Sequence, residues 1–220
     1  MPDKLRMRFS KTGRAIYISH LDLMRTIQRA FLRADYPLKY SEGFNPHAQI
    51  SILLPLSVGC ASVCELMDFQ LREDVDLQAL PQRLSAVMPE GITVQEAYPM
   101  ETKAKHLKWL RVTGRYEYDD ADPEMMAGQL AEFYAQESIT ITRKTKRGEG
   151  QMDIVPAIAE LHVRPMARLV ELEAVISAQE PTLNPDYLVA ALRQLAPELA
   201  PDFAAFTRQE VYDAEMKIFR

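Results

Sequence analysis

Lys4-Leu5-Arg6-Met7-Arg8-Phe9 alternates basic and apolar side chains without a break. Successive side chains of a strand point to opposite faces, so this run predicts a β-strand with one buried face and one basic face. Ser19 follows as the N-cap of a helix, with Asp22 three residues on as an imperfect capping box, and Leu21, Met24, Ile27, Phe31 and Ala34 recur at helical spacing. Pro37 ends that helix. Ser41-Glu42-Gly43-Phe44-Asn45-Pro46 reads as a tight loop, since Gly and Asn-Pro both favour turn geometry.

Residues 48–54 alternate Ala48, Ile50, Ile52 and Leu54 against Gln49 and Ser51, and residues 64–71 are apolar enough to pair beside them as a further strand. Leu77, Leu80, Leu84 and Val87 mark a second amphipathic helix that stops at Pro89-Glu90-Gly91, and residues 92–98 supply a last strand. The order β-α-β-β-α-β is the ferredoxin-like one, with helices on one sheet face and the other face free. Residues 1–100 are therefore expected to form an N-terminal half.

A polar link from Pro99 to Lys105 precedes what reads as the same order begun again over residues 106–220. A strand is expected over residues 107–118. Asp122 as N-cap and Pro123 at the first helical position fix a helix start, with Met126, Leu130, Phe133 and Tyr134 as its buried stripe. Residues 138–142 continue as a strand, which the basic run Arg143-Lys144-Thr145-Lys146-Arg147-Gly148 interrupts, and residues 153–163 and 168–176 are strand-like. Asn184-Pro185-Asp186 caps a final helix with the stripe Tyr187, Leu188, Ala191, Leu192 and Leu195, and residues 203–212 return as the last strand. The expected fold is α+β: two ferredoxin-like halves, a divergent duplication in topology without residue-level identity.

A chain of 220 residues that is 47% apolar and 26% charged can bury a sizeable core, which excludes disordered and fibrous classes. Residues 1–6 lack an apolar signal region. The densest apolar run, residues 50–58, is broken by Ser51, Pro55 and Ser57, so neither a signal peptide nor a membrane span is expected. A cytoplasmic protein meets reducing conditions, and Cys60 and Cys64 are expected as thiols. The net charge of -5 argues against wholesale coating of nucleic acid, but it is unevenly spread. Residues 1–50 hold nine Lys/Arg against four Asp/Glu, or +5, and the rest hold 17 against 27, or -10.

The strongest local constellation is basic. Lys4, Arg6 and Arg8 share a strand face, Lys11 follows them, and Arg25, Arg29 and Arg33 form an i, i+4, i+8 stripe on the first helix. Such a surface is either a phosphate-binding face for single-stranded RNA or an ordinary solvated helix face. His20 and His47 suggest acid–base chemistry of the metal-independent ribonuclease kind, and both also suit structural places at a cap and a turn. Cys60 and Cys64 with three residues between them, even joined by His20 and His47, make a poor zinc set, and position 67 is Met where an iron–sulfur cluster of the radical SAM type needs a third thiolate. No metal and no cofactor is expected. Neither a P-loop nor a nucleophile elbow occurs.

Taken together, Arg8-Phe9-Ser10-Lys11-Thr12-Gly13, Ser19-His20-Leu21-Asp22-Leu23-Met24-Arg25 and Ser41-Glu42-Gly43-Phe44-Asn45-Pro46-His47 resemble the signature of the radical-SAM-associated domain of unknown function. That domain occurs alone or fused to a cobalamin-binding radical SAM protein. The likeness extends through Pro55-Leu56 and Gly59 to Glu65 and, more loosely through the Asp153 region, over most of the chain. It implies a standalone partner of a radical SAM protein, often encoded near ribosomal proteins and a ribonuclease, and no established reaction. The residues it carries over are Arg8, Ser10, Lys11, Gly13, Ser19, His20, Asp22, Arg25, Arg29, Ser41, Phe44, Asn45, Pro46, His47 and Glu65.

The expected function is that of a non-catalytic accessory protein that binds or presents RNA, tRNA or rRNA, to a radical SAM partner, with ribosome-related factors as further partners. An RNA-processing or transferase enzyme using His20, His47 and Glu65 is the alternative, and a protein-binding adaptor is a third. Convergence of His20, Asp22, Asn45, His47 and Glu65 in one cleft would favour the enzyme.

Overall fold

The computed structural model describes residues 4–145 and 148–220. The chain divides into two units: unit 1 runs to His106 and includes Phe219–Arg220, and unit 2 is Leu107–Ile218. Both mix strands with helices.

In unit 1, β1 (Leu5–Lys11) pairs antiparallel with β3 (Ala61–Phe69) on one side and β4 (Ile92–Pro99) on the other. The short β2 (Ile50–Ile52) adds to β3, giving the order β4-β1-β3-β2. The register sets Leu5 opposite Phe69 and Met7 opposite Met67. These side chains share one core with Leu23, Ile27, Ala30 and Phe31 of α1 (His20–Arg33) and with Leu80 and Leu84 of α2 (Leu80–Ser85). Phe31 and Phe69 meet with ring centroids 5.1 Å apart. Each large apolar side chain fully buried here contributes about 1.5–3 kcal/mol.

Ser19 caps α1 as expected: its Oγ accepts from the Asp22 N–H at 3.2 Å and donates to Asp22 Oδ2 at 2.8 Å. The buried stripe is Leu23, Ile27, Ala30 and Phe31, and Leu21, expected inside, is exposed. Two other elements are shorter than their apolar patterns. Only Ile50–Ile52 of the 48–54 run is strand, and the second helix spans Leu80–Ser85 rather than residues 77–87.

Gly91, ahead of β4, has φ +88, and its carbonyl accepts from the Thr12 N–H at 2.8 Å. A Cβ there would lie 2.3 Å from the Thr12 carbonyl oxygen, so only glycine fits the approach.

The face of β1 away from the helices carries Arg6, as period two requires. The sequence leaves that face free and basic, but at Arg6 it is closed. Arg6 is fully buried, its guanidinium lies 4.8 Å from the centroid of the buried Phe219 ring, and it pairs with Asp68. Arg220 reaches Glu96 at 3.2 Å and lies over the Tyr98 ring, and burial pushes the Tyr98 hydroxyl up to about 12.

In unit 2, β5 (Trp109–Glu117) pairs antiparallel with β10 (Phe203–Tyr212) and β9 (Val170–Ser177), and β8 (Ile158–Pro165) adds to β9. The order is β10-β5-β9-β8. Helices α3 (Pro123–Tyr134) and α4 (Asp186–Leu195) supply Met126, Leu130, Phe133, Tyr134, Leu188 and Leu192 to the buried set. Asp122 Oδ1 accepts from the Glu124 N–H at 3.0 Å, the cap expected for α3. Leu195, expected in the last stripe, is exposed.

Residues 153–163, expected as one strand, contain a break. They comprise the end of β7 (Gly148–Asp153), a 3-10 turn at Val155–Ala157 and most of β8. β7 forms a separate antiparallel hairpin with β6 (Thr140–Thr145), so Arg143 and Lys144 of the basic run lie within a strand instead of interrupting one. Lys146 and Arg147 lie outside the described residues. No helix among the described residues is long and apolar enough to cross a membrane.

Candidate functional site

The loop Ser41 to His47 is closed by its own ends. The Ser41 N–H donates to the His47 carbonyl at 2.9 Å, and the His47 N–H donates to Ser41 Oγ at 3.1 Å. Ser41 Oγ also lies 2.9 Å from His47 Nδ1, and Tyr40 bridges to Ala48 just below. This clasp leaves Glu42, Gly43, Phe44, Asn45 and Pro46 exposed at the tip, Phe44 fully so.

One side of the loop walls a groove of about 840 Å³ in unit 1. Its charged and titratable lining is Lys4, His47, Asp68, Lys103 and Lys105. The Met100 N–H donates to the Lys4 carbonyl at 2.9 Å and ties the 100–105 segment beside β1, and the His106 N–H closes a turn on the Lys103 carbonyl at 3.0 Å. Asp68 is the lone carboxylate of the lining, and Arg6 already holds both of its oxygens. Three lysines therefore face the groove with no uncommitted acid among its walls, which suits a polyanion.

The expected site residues divide. Lys4 and His47 line the groove. Arg6 and Lys11 are buried rather than displayed, with Lys11 Nζ donating to the Ile16 carbonyl at 3.0 Å. Arg8 and Ser10 are half-buried in β1, and Gly13 takes φ +54 at the turn that follows. Of the helix stripe, Arg25 pairs with Asp22 at 3.2 Å, Arg33 donates to the Val87 carbonyl at 2.7 Å, and Arg29 lines a second, smaller cavity. The hydrogen bond from Ser19 and then the Arg25 guanidinium hold the Asp22 carboxyl below the usual carboxylate range. His20 is half-buried at the first position of α1, and Glu65 is buried in β3, opposite Phe9. Of His20, Asp22, Asn45, His47 and Glu65, the groove takes only His47.

Cys60 is half-buried and Cys64 buried, and among the described residues no group of three His, Cys, Asp or Glu side chains is placed to hold a metal ion. The sequence reading missed Lys103 and Lys105, although the lysines of the link were visible in it. It also missed Tyr36, Tyr40 and Arg72, which no local pattern marks and which line the second cavity.

A family model described as an uncharacterized protein conserved in bacteria, DUF2344, matches residues 4–185. Among solved structures, the chain is similar to a crystal structure of an unknown protein from Galdieria sulphuraria, at 8% identity and a TM-score of 0.26, over 94% of this chain and 98% of that one. No curated protein matches the sequence.

Proposed function

Because this chain belongs to the bacterial family DUF2344, whose description assigns no activity, its own geometry must suggest one, and we propose a non-catalytic accessory protein that binds RNA beside a radical SAM partner. The observation that carries the RNA reading is the groove lined by Lys4, Lys103 and Lys105, whose one carboxylate is already claimed by Arg6. The charge distribution supports it. Unit 1 holds 14 Lys/Arg against 12 Asp/Glu, or +2, and unit 2 holds 12 against 19, or -7. Of His20, His47 and Glu65 only His47 lines the groove, which supports a binding role there over an acid–base one, because a ribonuclease needs its base and acid at one phosphodiester.

The partner reading rests on the resemblance of the three motifs and on thiol arithmetic. Two cysteines fall short of the three that a radical SAM cluster needs, so these 220 residues do not make up that ligand set by themselves. A cytoplasmic location agrees with an RNA ligand. We also read each unit as a ferredoxin-like module. The support is the shared strand order, β4-β1-β3-β2 and β10-β5-β9-β8, with β6-β7 as an insertion in the second.

Titration of a single-stranded RNA oligonucleotide against salt tests the binding. Each phosphate contact to a single strand contributes about -0.7 to the slope of log affinity on log salt, so Lys103→Ala/Lys105→Ala should flatten it by about 1.4. An unchanged affinity and slope would remove RNA from the groove. Co-elution with a cobalamin-binding radical SAM protein on gel filtration tests the partnership, and independent migration would reject it.

A further inference from the structure

A second cavity, of about 350 Å³, has Gln28, Arg29, Leu32, Tyr36, Tyr40 and Arg72 among its walls. That volume is at the small end of the range for ligand sites, about 300–1,000 Å³. Two of its walls are guanidinium groups that make no ion pair among the described residues, whereas Arg25 on the same helix is matched by Asp22. A third wall is flat: Tyr40 is 43% exposed, and the Arg72 guanidinium lies 5.9 Å from its ring centroid.

Tyr36 adds an independent sign of a ligand. It is only 4% exposed, and its buried hydroxyl has no hydrogen-bond partner among the described residues. Its ring is held by Arg83, whose guanidinium lies 4.7 Å from the centroid while Nη2 donates to the Ala34 carbonyl at 2.8 Å. A buried hydroxyl left unpaired is costly, and this one belongs to a residue that lines the cavity together with two arginines that make no ion pair among the described residues. Gln28 offers both a donor and an acceptor at the rim.

The occupant these walls describe carries an anion for two arginines, a flat face for a tyrosine and a polar edge for an amide. A phosphorylated aromatic side chain has the first two and lacks the third. We propose that the cavity bounded by Gln28, Arg29, Tyr36, Tyr40 and Arg72 binds one nucleoside monophosphate unit, with Arg29 and Arg72 on the phosphate and the base stacked on Tyr40. The site does not depend on the lysine groove. It would accept either a free nucleotide or the 5′-phosphorylated end of an RNA strand, since both present the same chemistry.

Calorimetric titration of the full chain with adenosine 5′-monophosphate tests it, with adenosine and inorganic phosphate titrated separately. Saturable binding is expected, with adenosine and phosphate each at least about tenfold weaker, because each lacks one of the recognised groups. Arg29→Ala and Arg72→Ala should each weaken the nucleotide about tenfold or more, Tyr40→Ala similarly, and Tyr40→Phe little, since it keeps the stacking face. All three positions are exposed, so the variants should fold. Lys103→Ala/Lys105→Ala should leave nucleotide affinity unchanged, which separates this site from the groove. Competition by a 5′-phosphorylated oligonucleotide, and not by its 5′-hydroxyl form, would identify an RNA end as the ligand; no competition would identify the free nucleotide, and either keeps the site. Absence of saturable binding at millimolar nucleotide, or binding indifferent to both arginine substitutions, would overturn the proposal.

Discussion

Arg6 and Asp68 stand directly opposite each other on β1 and β3 and join through two parallel hydrogen bonds, Nε to Oδ1 at 2.6 Å and Nη2 to Oδ2 at 3.1 Å. The Arg6 side chain is fully enclosed and that of Asp68 is 18% exposed. Removing one partner of such a pair strands a buried charge. Asp68→Ala should therefore lower stability by about 3–5 kcal/mol, read as a denaturant midpoint, and the double substitution Arg6→Met/Asp68→Leu should recover most of that loss. A neutral Asp68→Ala would show that Arg6 finds another counter-charge.

Phe219 and Arg220 should differ sharply in what they contribute. Phe219 is buried against the Arg6 guanidinium, and Phe219→Ala should cost about 3 kcal/mol. Arg220 pairs with Glu96 at the surface, and Arg220→Ala should cost under about 1 kcal/mol. Thermal melts of the two variants decide the comparison, and equal losses would contradict the enclosed placement of Phe219.

Two glycines separate steric from conformational strain. At Gly13, where a Cβ meets nothing within 4 Å, alanine pays only for the left-handed backbone, about 1–2 kcal/mol. At Gly91 alanine would also collide with the Thr12 carbonyl, so Gly91→Ala should be the more destabilising variant in urea titrations.

Asp153 Oδ1 accepts from the Ile139 N–H at 3.0 Å and the Val155 N–H at 3.1 Å, with the Ile139 bond the larger cause holding its carboxyl below the usual range. A depressed carboxyl stabilises the fold above its unfolded value, and that contribution is lost as pH falls through the folded one. Asp153→Ala should cost about 1 kcal/mol at neutral pH and progressively less as the medium is acidified, which melts at several pH values would reveal.

The three arginines of α1 should contribute unequally to binding a polyanion. Arg25 is matched by Asp22 and Arg33 is tied to the Val87 carbonyl, while Arg29 makes no ion pair among the described residues. Arg29→Ala should weaken RNA affinity more than Arg25→Ala or Arg33→Ala in the same salt titration. Equal effects would restore the picture of a uniform basic stripe.

Local signals read well from the sequence because their causes are local. The alternation of β1, the Ser19 cap and the Asp122-Pro123 helix start each depend on neighbours within a turn or a strand. Arg6 was misread for the opposite reason. A basic residue in an alternating strand looks solvent-facing until Asp68, 62 positions later, and Phe219 near the other end of the chain are placed beside it. Leu21 shows the same limit on a helix, since several apolar positions competed for the buried stripe and packing against β1 and β3 chose Leu23 instead. The lysine groove is half legible: Lys4 and His47 stand in recognisable local patterns, but the link carrying Lys103 and Lys105 reads only as a connector.

That Phe219 and Arg220 belong to unit 1 also bears on the order in which the protein is made. A ribosome adding about 5–20 residues per second finishes residue 106 some seconds to tens of seconds before it reaches residue 219. Through that interval the nascent first unit carries Arg6 without its aromatic cover, so its most polar inner face stays wet and available to chaperones. Synthesis, and not collapse of the first unit, then sets when β1 becomes sealed. Protease protection of Arg6 in arrested nascent chains should appear only once the last residues of unit 1 have left the ribosome.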